Sequence, residues 1–160
     1  MKKKVYLETT IVSYLVSRPS RDLVVVAHQE ITREWWEEQR RSFDVYVSQV
    51  VLDEVGDGDR EAAKRRLDLI RSIPVLVVTE DVAALAEKLV GDGPIPQEAA
   101  DDALHIALAA VHGMDFLLTW NCKHLANAQL LGAVSEILLQ NGYASPVICT
   151  PEELMEAGNA

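Results

Sequence analysis

This chain is short of cysteine, of positive charge and of long apolar runs, and each shortage closes off a class of protein. Two cysteines, Cys122 and Cys149, stand among 160 residues. They cannot build a disulfide framework, and they read as the reduced thiols of a cytoplasmic protein. Lys and Arg number 15 against 25 Asp and Glu, a formal net charge of −10. That balance argues against clamping nucleic acid by overall charge and leaves room only for a local basic patch. No uninterrupted stretch reaches the roughly 18 apolar residues that a membrane span needs. Lys2, Lys3 and Lys4 precede a few apolar residues, as in a signal peptide. Glu8 breaks that run and no small-residue cleavage site follows, so no signal peptide is expected. Internal repeats, low-complexity tracts and linkers are also missing.

What remains is ordinary globular material, 49% hydrophobic and 25% charged. The length predicts one domain over residues 1–160, large enough to bury about 70% of its unfolded surface. Short apolar strands are predicted at residues 5–7, 45–48, 75–78, 116–118 and 147–149. Helices are predicted between them at 11–16, 22–42, 49–55, 60–72, 80–90, 97–112 and 127–141, with a last short one opened by Pro151. On the long second helix, Val24, Ala27, Ile31 and Trp35 fall near one stripe. Strands alternating with helices make a parallel sheet covered on both faces, an α/β fold. Ligands of such sheets bind beyond the carboxyl ends of the strands, and Glu8, Ser48 and Thr119 stand at such ends.

Three acids stand out against this background. Glu8 closes KKKVYLE, Glu54 lies in SQVVLDEV and Asp102 lies in ADDALHIALAA. Helical spacing separates Glu54 and Asp102 from their acidic neighbours. Asp53 continues from Gln49, whereas Glu54 continues from Val50 and Val51. Asp101 lies in a polar row with His105 and His112, and His105 is read as its surface partner rather than a metal ligand. Asp102 lies in a row with Ile106 and Ala109. Each acid alone reads as a surface residue. Together, three inward acids at one sheet end would repel one another unless a cation joins them. Hard oxygen donors suit Mg²⁺ or Mn²⁺ better than Zn²⁺. Phosphodiester hydrolysis is the usual chemistry of such a cluster, the ion orienting water and neutralising phosphate charge. Thr9 and Thr119 offer hydroxyls to orient water or substrate.

These segments resemble the PIN domain family, the ribonuclease fold that includes the VapC-type toxins of toxin–antitoxin pairs. The resemblance spans the chain and rests on KVYLETTIVSYL, VSQVVLDEV, DDALHIALAAVHGMDFLLTWN and the final strand before TPEEL. It implies a three-layer α/β/α fold whose five-stranded parallel sheet has the order 3-2-1-4-5. It also implies an acidic pocket at the carboxyl edge, a Mg²⁺ or Mn²⁺ cofactor and an RNA substrate. Glu8, Glu54 and Asp102 take the places of the first three family acids. Asn121, in LLTWN, stands where many members carry a fourth Asp. Two departures follow. Glu8 replaces the usual Asp and pushes its carboxylate out by about one bond length. Asn121 is expected to coordinate through its carbonyl oxygen but brings no charge, so one tightly held metal is expected rather than two.

The expected activity is therefore metal-dependent RNA cleavage. Glu8, Glu54, Asp102 and Asn121 would act at the metal, with Thr9 assisting. Thr119, Lys123 and Arg18 would touch substrate, and His124 and Arg21 are further phosphate candidates. The basic run Arg60, Lys64, Arg65, Arg66 and Arg71 reads as a solvated face. Of Trp35 and Trp36, one is expected in the core and the other at a partner face. The Asp57-Gly58-Asp59 turn is too short for a calcium loop. Expected partners are a small antitoxin and a second copy of the chain. The alternative is a degenerate PIN scaffold that binds RNA or protein without cutting, motivated by Glu8, Asn121 and the acidic charge. A receiver-like or phosphatase domain would need an Asp nucleophile at a strand end, and none stands there.

Overall fold

The centre of the molecule is a strand with no exposed face. In the computed structural model, which describes residues 1–155, β1 (Lys3–Leu7) buries Val5, Tyr6 and Leu7 completely. Successive strand side chains point to opposite faces, so three buried in a row require cover on both. β1 pairs in parallel with β2 (Phe43–Ser48) on one side and β4 (Phe116–Leu118) on the other. Tyr6 lies opposite both Tyr46 and Leu117. β3 (Val75–Leu76) extends the sheet beyond β2, and β5 (Val147–Cys149) extends it beyond β4. The order is β3-β2-β1-β4-β5, as the resemblance implied. All pairs are parallel, and the helices that cross between strands cover the sheet as an α/β/α fold.

The helices begin where polar side chains cap them. α1 (Thr9–Val16) starts on Glu8, whose carboxylate accepts the Thr10 amide. Asp22 caps α2 (Leu23–Glu34), Ser48 caps α3 (Gln49–Val55) and Asp59 caps α4 (Arg60–Ile70). Thr79 caps α5 (Glu80–Gly91) and Asn127 caps α7 (Ala128–Gln140). α6 (Ala100–Val111) follows a single 3₁₀ turn and is the most deeply buried helix, with six consecutive buried residues from His105 to Ala110. α1 packs on α2, α3 and α4, and α5 packs on α6 and α7. Among the described residues, no helix is long and apolar enough to cross a membrane.

Three sequence expectations change. The long second helix ends at Glu34, loosens into a π-helical turn at Trp35–Gln39 and tightens into a 3₁₀ turn at Arg40–Ser42. Its buried side is also rotated from the expected stripe: Gln29, Thr32 and Trp35 face inward, while Val24 and Ala27 are exposed. Polar Gln29 is admitted because its amide ties down the loop before the helix, donating to the Ser17 hydroxyl and the Arg18 carbonyl. Trp35 is in the core, and Trp36 is half-buried beneath the Arg40 guanidinium. β3 stops at Leu76, two residues early, because Val77 and Val78 are exposed and have left the ladder. The segment opened by Pro151 runs as turns to Met155, and the rest of it lies outside the described residues.

Candidate active site

The carboxyl edge of the sheet collects the acids through the strand ladder itself. The Glu8 amide donates to the Leu118 carbonyl at 3.0 Å, and the Thr119 amide donates to Cys149 at 3.0 Å. Glu8 and Thr119 thus leave their strands side by side. The buried Thr119 hydroxyl donates to Glu8 Oε1 at 2.7 Å. The Thr10 hydroxyl and amide donate to the same oxygen, and the Trp120 amide fixes the Thr10 hydroxyl at 2.9 Å. Glu8 is only 4% exposed, yet no cationic side chain among the described residues pairs with it. The hydrogen bonds from Thr10 and Thr119 all go to Oε1, and Oε2 accepts none from the described residues.

Glu54 arrives from the last turn of α3. Thr9 donates to its Oε1 at 2.8 Å, and His105 Nε2 lies 2.7 Å from the same oxygen. Burial works to raise the pKa of this carboxyl, but the hydrogen bond and charge of His105 and the Thr9 hydroxyl outweigh it. The net result lies below the ordinary glutamate value. Asp102 sits in the first turn of α6. Asn121 Nδ2 donates to its Oδ1 at 3.1 Å, and His124 Nδ1 lies 3.2 Å from Oδ2. Asn121 is joined to the Glu8 side through its amide, which donates to the Thr119 hydroxyl at 2.9 Å. Asp53 and Asp101, the acidic neighbours, are exposed, whereas Glu54 and Asp102 are partly buried.

Two expectations need correcting. His105 is not a surface partner of Asp101: it is 1% exposed and turned to Glu54 and Tyr6. On a helix both i+3 and i+4 are neighbours, and the relevant row runs from Asp102 to His105. The Asn121 carbonyl oxygen, expected at a metal, is turned into its own loop in this structure. That oxygen accepts the Lys123 and His124 amides, both at 3.1 Å, which also fixes which end of the amide faces Asp102. Asn121 therefore holds the 121–124 turn and steadies Asp102.

The other residues are placed plainly. The Thr119 hydroxyl is under Glu8, where it orients that acid. Lys123 is exposed beside the Asn121 turn. Arg18 is exposed beyond the far end of the eight-residue α1, whose first turn carries Thr9; at about 1.5 Å per residue, it lies on the order of 12 Å away. Arg66 is taken up by the Val55 and Asp57 carbonyls, and Arg71 pairs with Asp68. The sequence reading gave no site role to Tyr6 or Thr10, and gave Ser48 only a place at a strand end. Tyr6 was detectable from strand alternation, because it shares a face of β1 with Glu8.

The residues present fit a divalent cation. They offer hard oxygens, and Glu8 is a buried carboxyl group with no cationic partner among the described residues. Among the described residues, however, no three acidic, His or Cys side chains close on one point as a ready-made metal cluster. Thr9, Thr119, Asn121 and His105 hold the acids along one edge instead.

An acidic rim at the carboxyl edge of a 3-2-1-4-5 parallel sheet defines the class as a PIN-like α/β/α fold. The PIN domain family model matches residues 5–127, and the chain belongs to that family. Among solved structures, it resembles the VapBC2 complex of Rickettsia felis bound to a DNA fragment from its promoter. That pair shares 14% identity with a TM-score of 0.58, over 92% of this chain and 98% of that one. VapC20 of Mycobacterium tuberculosis, a sarcin-ricin loop cleaving toxin, is 16% identical with a TM-score of 0.59, covering 88% and 96%. VapBC-1 of nontypeable Haemophilus influenzae is 19% identical with a TM-score of 0.51, covering 75% and 88%. At these identities the likeness establishes the fold. No curated protein matches the chain.

Proposed function

We propose that the chain is a Mg²⁺- or Mn²⁺-dependent endoribonuclease of PIN type, the toxin of a toxin–antitoxin pair. One observation carries this reading: Glu8 is buried and lacks a cationic partner among the described residues, on a sheet edge where Thr9 reaches Glu54 and Thr119 and Asn121 lead to Asp102. A buried carboxylate without a partner is costly unless it is bound or neutralised. When bound, a divalent ion supplies water activation and neutralisation of phosphate charge. Glu8, Glu54 and Asp102 would hold it. Thr9 positions Glu54, while Thr10 and Thr119 position Glu8. Lys123 and His124, in the turn after Asn121, would meet phosphate. Arg18 would meet only RNA that runs along α1. VapC20 is a sarcin-ricin loop cleaving toxin, and a structured RNA is the substrate we assign here by analogy. A small antitoxin and a second copy of the chain are the proposed partners, and the cytoplasm the proposed location.

Asn121 supports a second reading, a scaffold that binds without cutting, because its oxygen is engaged and it brings no charge. Cleavage of tRNAs and structured RNAs with Mn²⁺ separates the two. The nuclease reading expects cleavage by the wild-type chain and at least a hundredfold loss in Asp102→Asn. Equal action by both proteins, or no cleavage by either, overturns it.

A further inference from the structure

Behind Glu54 runs a buried chain of polar groups that the proposed chemistry does not use. The Ser48 hydroxyl lies 2.7 Å from the Tyr6 hydroxyl, which lies 2.6 Å from His105 Nδ1. His105 Nε2 lies 2.7 Å from Glu54 Oε1. Tyr6, Ser48 and His105 are all at most 1% exposed. Four elements contribute one member each: β1, the end of β2, α6 and α3.

We propose that Tyr6 and His105 are positioning residues for Glu54, joined in a one-way hydrogen-bond chain that fixes Oε1 and leaves Oε2 for the divalent ion. The proposal rests on the metal-site reading above. For a neutral imidazole the direction follows from counting protons; an imidazolium would donate from both nitrogens, and a proton on Nδ1 would reveal it. The Val51 amide donates to Ser48 Oγ at 3.2 Å, so Ser48 is an acceptor there and its own proton is free for Tyr6. Tyr6 then has one proton, which goes to His105 Nδ1, and Nε2–H faces the carboxylate. The reverse order would aim a bare Nε2 lone pair at a carboxylate oxygen 2.7 Å away, where both groups only accept. Such a pairing is repulsive, and the His105 ring, 1% exposed, has little access to solvent that could relieve it. The chain also begins and ends on α3, since Ser48 caps that helix and Glu54 lies in its last turn. Tyr6 and His105 thereby tie α3 to β1 and α6 as well as orienting one carboxylate.

Partners that orient a metal-binding carboxylate typically change metal affinity by about 10–100-fold when removed. The test uses the full chain, its Tyr6→Phe, His105→Leu and His105→Gln variants, and Mn²⁺ as the probe. Nitrogen-15 spectra of the metal-free protein should show His105 protonated at Nε2 and accepting at Nδ1, with the Nδ1 signal moving in Tyr6→Phe. Calorimetry should show Mn²⁺ binding weakened about tenfold or more in His105→Leu and largely restored in His105→Gln, which keeps a donor near Nε2. Tyr6→Phe is close to isosteric and keeps the test decisive if His105→Leu fails to fold. A proton on Nδ1, or unchanged Mn²⁺ affinity in both His105→Leu and Tyr6→Phe, overturns the chain alone. The expected tautomer in a wild-type protein that takes up no Mn²⁺ overturns the metal reading, and with it the purpose assigned here.

Discussion

Thr119 and Glu8 meet across 111 residues of chain, the Thr119 hydroxyl donating to Glu8 Oε1 at 2.7 Å at the ends of adjacent strands. The contact holds a buried anion in one rotamer and leaves its other oxygen available. Thr119→Val preserves shape and removes this donor, while the two donors from Thr10 remain. Losing one partner of a buried charged acceptor costs about 1–3 kcal/mol. Urea denaturation of the metal-free protein should show a loss in that range for Thr119→Val and little loss for Thr119→Ser. A Thr119→Val protein as stable as wild type would show that the hydroxyl does not support Glu8.

Metal should stabilise the folded chain through the same acid. A ligand that binds only the folded state adds about 2.7 kcal/mol at one hundred times its dissociation constant. For a chain of this length that corresponds to roughly 5–10 °C in melting temperature. The wild-type protein should melt at least that much higher with saturating Mn²⁺ than with a chelator, and Glu8→Gln should abolish most of the difference. A Glu8→Gln protein that keeps the full Mn²⁺ shift would remove Glu8 from the ligand set.

The positions of these acids show how far the sequence could be read. Strand ends placed Glu8, and helical phase separated Glu54 and Asp102 from the exposed Asp53 and Asp101. Those are local, periodic facts, and a 3.6-residue period preserves them. His105 was misread because a helix that runs from the rim into the core changes environment along its axis: Asp101 is in solvent while His105, one turn on, is buried. Asn121 was misread because its amide is oriented by two backbone amides of its own turn, a contact that residue type alone does not announce. The Tyr6–His105–Glu54 chain depends on three elements meeting, which no single stretch of sequence encodes.

Acid should reveal the Glu54 contacts directly. Its carboxyl is held below the ordinary value of 4.5, with burial opposing and the His105 and Thr9 contacts prevailing. The unfolded chain therefore takes up this proton first as pH falls. The stability Glu54 contributes is complete above about 4.5 and is lost as pH drops through the folded value. In the metal-free protein, unfolding free energy measured from pH 7 down to pH 3 should fall less steeply for Glu54→Gln than for wild type. Parallel acid limbs would mean that the carboxylate gains nothing from its partners.

Asn121→Asp tests the missing fourth charge. An aspartate at this position can keep one oxygen on the Lys123 and His124 amides, but its other oxygen then replaces Nδ2, which now lies 3.1 Å from Asp102 Oδ1. A favourable contact becomes a repulsion between like charges. At the effective dielectric of a partly exposed site, and with solvent screening, this costs on the order of 1–2 kcal/mol without metal. A bound cation reverses the sign, because the new carboxylate then faces positive charge. Asn121→Asp should therefore melt below wild type in chelator, and its melting temperature should rise more than that of wild type when Mn²⁺ is added. Equal Mn²⁺ responses would place position 121 outside the reach of the ion. A variant that is more stable than wild type in chelator would show that Asp102 and residue 121 do not interact as the Asn121 geometry requires.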